Sequence, residues 1–207
     1  MEQKTEKKII GIIGEHPNND SLALIALLKR FVCDDWELKV CDLKGLRGSR
    51  LDNYRDFQAL LQIEKSEENY ERFIIIRDLD GLEKDKAKIK QKESWFKKIK
   101  QIINDESYFF LVIYELETLM ICDLETINRF FNTSIVLDKN PMEITSPKEE
   151  ILMRGTEKSP KGKYDPSFSQ EIFRTISFQQ LYEKHTGKRS FQSFVDELKN
   201  MQIIDFQ

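Results

Sequence analysis

The residues best placed to do chemistry are Asp78 and Asp80, spaced i, i+2, followed by Gly81 and preceded by the apolar run Phe73-Ile74-Ile75-Ile76-Arg77. Such a run reads as a buried strand, and in an open α/β sheet ligands gather at the carboxyl ends of the strands. Two other apolar runs end the same way. Lys8 to Ile13 leads to Glu15, and Tyr108 to Tyr114 leads to Glu115 and Glu117. If these strands are parallel, all five carboxylates share one rim of the sheet. Acids so gathered repel one another unless cations neutralise them, and their hard oxygens suit Mg²⁺ or Mn²⁺. Separately solvated loop acids are the competing reading, but each of these acids directly terminates an apolar run.

The elements that must position them can be read in order. After the first strand, Gly14 to Asp20 is turn chemistry, and Asp20 or Ser21 caps a helix running to about Phe31. As a helix cap Asp20 needs no further explanation; a metal role is the alternative. Glu37 to Leu43 is a second strand, Asp52 to about Ile63 a helix, and Phe73 to Arg77 the third strand. Asp85 to Ile103 is a long polar helix, Tyr108 to Tyr114 the fourth strand, Glu117 to Phe131 a helix, and Ser134 to Leu137 a short fifth strand. Strands alternating with helices predict an α/β Rossmann-like fold with a mainly parallel central sheet and helices on both faces. Beyond Asn140, Pro141, Pro147, Pro160 and Pro166 break the chain into short pieces, ending in helices from about Ser177 to His185 and Ser190 to Met201. Residues 1–140 are therefore expected to form the main domain, with 141–207 a small helical annex packed on it.

Composition bounds the class. With 207 residues, 40% of them hydrophobic, and 14 Phe, the chain can build one good core. No apolar run approaches the ~20 residues of a membrane span. Met1 to Lys8 lacks the apolar centre of a signal peptide, so a cytoplasmic protein is expected. Cys33, Cys41 and Cys122 have no metal-site spacing and read as core residues.

Glu15 after the first strand and Asp78-Leu79-Asp80 after a later one are similar to the signature of the Toprim fold, shared by topoisomerases, primases and nucleases of the overcoming-lysogenization-defect type. Ile113-Tyr114-Glu115-Leu116-Glu117-Thr118-Leu119-Met120-Ile121-Cys122-Asp123 resembles the P-E-L-E-A-W-L-L-A-D signature of a Toprim-like, DUF4276-like family of uncharacterised function. Lys161-Gly162-Lys163-Tyr164 and Arg189-Ser190-Phe191-Gln192-Ser193-Phe194 echo its downstream pattern. The chain departs from it at His16, where Gly commonly follows the first acid, at Tyr114 in place of Pro, and at Leu119 in place of the helix aromatic. The resemblance implies that Glu15 is a metal ligand or general acid/base, that Asp78 and Asp80 hold Mg²⁺, and that Glu117, with Glu115, completes a second site. Phosphodiester hydrolysis follows that logic. It also implies a bacterial anti-phage defence role beside a separate ATPase subunit of the ABC or overcoming-lysogenization-defect type, with activity latent until that partner releases it.

The nucleic-acid expectation comes from charge. Lys84 to Lys100 contains eight lysines; Lys84, Lys86, Lys88, Lys97 and Lys98 could meet a phosphate backbone, as could Lys188 and Arg189. A solvated helix face is the plain alternative. Trp95 and Phe96 read as core anchors or as stacking platforms. Lys161 and Lys163, in a Gly/Pro-rich loop, could hold the scissile phosphate. His16 could carry a proton or bind metal, whereas His185 reads as a cation satisfying the carbonyls at a helix end.

Two rival functions remain open. Asp78-Leu79-Asp80-Gly81 also resembles the nucleophile motif of haloacid-dehalogenase phosphatases, with Asp78 as phosphoryl acceptor and Asp80 as acid/base. A non-catalytic, metal-binding interaction subunit is the other. No phosphate-loop motif occurs, so ATP hydrolysis would belong to a partner. A homo-oligomer is compatible with the sequence.

Overall fold

The computed structural model describes residues 7–103 and 107–206; most of the leader segment Met1 to Lys8 lies outside them. Four strands form one sheet: β1 (Lys8–Ile13), β2 (Trp36–Val40), β3 (Tyr70–Asp78) and β4 (Tyr108–Val112). Their order is β2-β1-β3-β4, and every pair is parallel. The order reverses direction between β1 and β3, the place where an open parallel sheet leaves a crevice for ligand.

Side-chain alternation sorts the sheet's two faces. Ile10, Ile12, Ile74, Ile76, Phe110 and Val112 enter one core with α1 (Leu22–Leu28), α4 (Glu117–Met120), α5 (Leu124–Phe131) and the C-terminal helices α6 (Ser169–Thr175), α7 (Phe178–Lys184) and α8 (Phe191–Asn200). Ile13, Phe73 and Ile75 enter the other, with Phe57 and Leu61 of α2 (Tyr54–Glu68) and Trp95 and Ile99 of α3 (Lys86–Lys100). Residues 141–206 thus share a core with the sheet. Asn53 and Asp85 start α2 and α3 by accepting the backbone N–H of Asp56 and Lys88.

Three expected elements take another form. Ser134 to Leu137 is not a strand, because the Asn128 side chain satisfies its backbone: Ile135 N–H donates to Asn128 Oδ1 at 2.7 Å and Asn128 Nδ2 donates to Ile135 O at 2.8 Å. The helix expected over Glu117 to Phe131 is broken at Asp123, whose side chain leaves the helical path to accept Thr126 N–H at 3.1 Å and Ser177 N–H at 2.7 Å. The turn before α1 is a wide helical turn over Pro17–Ser21, and neither Asp20 nor Ser21 caps α1. Their oxygens serve the loop instead: Gly14 N–H donates to Ser21 Oγ at 2.8 Å and His16 N–H to Asp20 Oδ2 at 2.7 Å.

His185 corrects a different expectation. It is fully buried and accepts Phe191 N–H on Nδ1 at 2.8 Å. Burial pushes its pKa down to about 4, so it is neutral and joins α7 to α8. Cys41 and Cys122 are buried, Cys33 is half-buried, and all three are free. Among the described residues, no helix is long and apolar enough to cross a membrane.

Candidate functional site

Consecutive residues at the end of β3 point to opposite faces and divide the crevice. Asp78 belongs to the α1 side. It is raised well above the usual carboxylate range, first by burial and then by the charges of Asp20, Glu15, Glu117 and Asp80. Asp20 is pushed up to about 6, mainly by burial, against the pull of the His16 N–H bond and the His16 charge. Glu117 is also raised by burial, partly offset by a hydrogen bond from Tyr164 Oη at 2.9 Å. Glu115 is raised to about 7 by burial, with Lys148 N–H donating to its Oε1 at 2.7 Å. Asp78, Asp20 and Glu115 are half-buried and Glu117 is buried, so these groups form a partly desolvated acidic patch.

Arg77 belongs to the α2–α3 side, its side chain sealed from solvent. Its Nε donates to Glu15 Oε1 at 2.8 Å and its Nη2 to Asp52 Oδ1 at 3.0 Å, with the guanidinium 5.1 Å from the centre of the Trp95 ring. Lys92 adds a second cation, 4.0 Å from Glu15 and 3.7 Å from Asp52. Asp80 lies where both halves act on it: burial and Glu15 raise it, while Lys92, Lys88 and Arg77 pull it down.

The two strand exits are locked together. Asp80 N–H donates to Tyr114 O at 2.8 Å and Tyr114 N–H to Gly81 O at 2.9 Å. Asp80 and Tyr114 both adopt left-handed backbone, at φ 53° and 61°, a conformation costly for such residues and concentrated at functional sites. Proline, fixed near φ −65° and lacking an N–H, fits neither demand; the Tyr114 departure from the family signature therefore has a backbone reason. Gly14 supports the first loop. A Cβ there would lie 2.7 Å from Asp20 Cβ and 3.0 Å from Ser21 N, so only glycine lets the turn fold back.

The structure thus gathers Glu15, Asp78, Asp80, Glu115 and Glu117 at one rim and adds Asp20. Among the described residues, no three His, Cys, Asp or Glu side chains converge closely enough to hold a metal ion. The donor chemistry nevertheless suits a hard divalent cation, because Asp78, Asp20 and Glu117 are all raised by loss of water and the largest charges acting on Asp78 are those of other acids. His16 is exposed. The cation acting on Glu117 is Lys148 rather than Lys161 or Lys163. Lys161 Nζ lies 3.6 Å from the centre of the Phe130 ring, and Lys163 is exposed. Lys84 and Lys86 line an open groove of about 590 Å³ with Lys90, Glu93 and Arg189. Arg189 is paired with Glu93 at 2.6 Å, and Lys188 lines a smaller cleft beside Phe109 and Leu111 of β4. Lys88 Nζ bonds Asp80 O; Lys97 and Lys98 are exposed. Trp95 is buried and Phe96 stacks on Phe109 at 4.6 Å, so both are core anchors.

Sequence reading missed Arg77, Lys92, Asp52 and the Tyr164–Glu117 bond. One signal was present: an arginine inside an otherwise apolar strand needs a buried acid, which points to Glu15 one strand away.

Fold and rim together define an α/β protein with an acidic crevice at its topological switch point. Residues 21–199 match the family described as Domain of unknown function (DUF4276), and the chain belongs to that family. Neither a curated protein nor a solved structure matches the chain.

Proposed function

We propose that this chain is a Mg²⁺- or Mn²⁺-dependent nuclease of Toprim type, related to the overcoming-lysogenization-defect nucleases. In this reading it acts in the cytoplasm as the effector of a bacterial anti-phage system under an ATPase partner. The observation that carries the reading is the partly desolvated patch of Asp78, Asp20 and Glu117, with Asp80, Glu15 and Glu115 around it, at the carboxyl ends of β1, β3 and β4. Gathering Asp78, Asp20 and Glu117 where water is partly excluded is costly, and a cation from outside the chain would relieve it.

Asp78 would be the centre of that cation's ligand set, with Asp20, Glu117, Asp80 and Glu115 drawing in around it on binding. A bound divalent ion supplies an activated water and charge stabilisation for an in-line displacement at phosphorus. The chain's own groups do the rest. Tyr164 orients Glu117 through its 2.9 Å bond. Arg77 and Lys92 fix Glu15 beside Asp80. Glu115, at about 7, exchanges a proton near neutrality, as a general acid or base must.

The test is incubation with supercoiled plasmid and with total tRNA in Mg²⁺, Mn²⁺ or EDTA, alongside Asp78→Asn. Metal-dependent cleavage lost in the variant supports the reading and names the substrate class. A second reading, a non-catalytic metal-binding interaction subunit, draws on the finding that no three ligands close on one point among the described residues. It predicts metal-dependent stabilisation with no cleavage, even with the partner present.

A further inference from the structure

On the α2–α3 side, Asp52, Tyr54, Lys92, Trp95 and Lys98 line a depression of about 280 Å³, large enough for a nucleotide. Two cations, Lys92 and Lys98, line it against one acid, Asp52. The Trp95 indole N–H is buried and has no acceptor among the described residues, and neither does Arg77 Nη1 behind it. Arg77 spends Nε and Nη2 on Glu15 and Asp52. Lys92 carries three donors, and its acid neighbours are no closer than 3.7 Å. Lys98 is exposed, 6.0 Å from the centre of the half-buried Tyr54 ring. The Trp95 and Arg77 donors are out of reach of solvent, so the charges a ligand meets in the depression are those of Lys92, Lys98 and Asp52.

We infer that this depression is a phosphate subsite for a nucleic-acid strand, with Lys92 and Lys98 on one phosphodiester and Tyr54 stacking the adjoining base. The inference rests on the nuclease reading and extends it. Lys92 also faces Glu15 and acts on Asp80, so a strand seated here runs directly past the acidic rim. Asp52 is held by Arg77 and Lys92, which offsets the charge it would turn toward a phosphate.

The experiment is binding of 5′-fluorescein decathymidylate by anisotropy in EDTA, with pyrophosphate as competitor, over a salt series. Lys98→Ala, on an exposed residue that leaves the fold intact, and Lys92→Met/Lys98→Ala are compared with wild type. The double variant is expected to bind at least 10-fold more weakly. Each lost lysine should lower the slope of log affinity against log salt by about 0.7. Tyr54→Ala should weaken the strand by roughly 10-fold and leave pyrophosphate competition unchanged, which separates a strand from free phosphate. Lys65→Ala, on the distal end of α2, should match wild type. Wild-type affinity and slope in both lysine variants overturn the inference, as does binding of pyrophosphate without the strand. Asp78→Asn/Asp80→Asn keeps binding while losing cleavage, so this subsite and the catalytic reading fail separately.

Discussion

Asp20→Asn is the sharpest test of the acidic patch. Asp20 is raised from 3.8 to about 6, principally by burial. The folded protein therefore binds this proton more tightly than the unfolded chain. That contribution to stability is complete below pH ~4 and is lost as the pH rises through 6. At 1.36 kcal/mol per pKa unit, keeping Asp20 ionised in the fold costs about 3 kcal/mol at pH 8. Asparagine removes the charge and keeps an oxygen for the His16 N–H that now donates at 2.7 Å. In EDTA at pH 8 the variant should be more stable by about 3 kcal/mol, or roughly 6–12 °C in midpoint for a chain this long. At pH 5 Asp20 is already mostly protonated in the fold but mostly ionised when unfolded, so the gain falls to about half. Paired urea melts at the two pH values measure the difference directly, because other titrating groups cancel between variant and wild type. A variant no more stable than wild type at pH 8, or a gain identical at both pH values, refutes the argument that Asp20 sits in an uncompensated negative site.

Other expectations follow from single contacts. Tyr164→Phe removes the donor to Glu117; it should cost about 1.5–3 kcal/mol in chemical denaturation and reduce metal-dependent cleavage at least 10-fold. Gly14→Ala places a Cβ 2.7 Å from Asp20 Cβ, so a loss of about 1–3 kcal/mol should come with weaker Mg²⁺ stabilisation in thermal melts. Mg²⁺ itself should raise the wild-type midpoint at pH 8 and raise that of Asp20→Asn less. His185 is lowered from 6.5 to about 4, so its share of stability, about 3 kcal/mol, is present above pH 6.5 and lost as the pH falls through 4. With only two histidines in the chain, NMR titration assigns it readily, and a His185 pKa above 6 would contradict its buried neutral state.

The strand-and-helix alternation and the acids at the strand ends were legible in the sequence, because β1, β3 and β4 are largely apolar runs that lead into acids and β2 alternates apolar with charged residues. What was not legible depended on side chains replacing backbone partners. Asn128 takes the place of a neighbouring strand for Ile135, and Asp123 interrupts a continuous apolar helix pattern to cap the next one. Nothing in local composition distinguishes these from an ordinary strand or helix interior. The lysine run from Lys84 hid a similar split: Lys92 turns inward to Glu15 and Asp52 while Lys97 and Lys98 remain exposed.

The position of Arg77 beside Asp78 explains why one short peptide can organise both halves of the crevice. Adjacent strand residues must face opposite sides, so the same backbone that sends Asp78 into the acidic patch sends Arg77 to Glu15 and Asp52. Moving the pair by one residue would exchange the faces, placing an arginine among the acids of the patch and leaving Glu15 without its donor. Arg77 donates to Glu15 and Asp52 on the other face of the sheet, and the proposed cation would sit with Asp78. In the proposed function this arrangement would separate the phosphate, along Lys92 and Lys98, from the divalent cation, around Asp78. Both functions need opposite local charge, and a single strand end supplies the boundary between them.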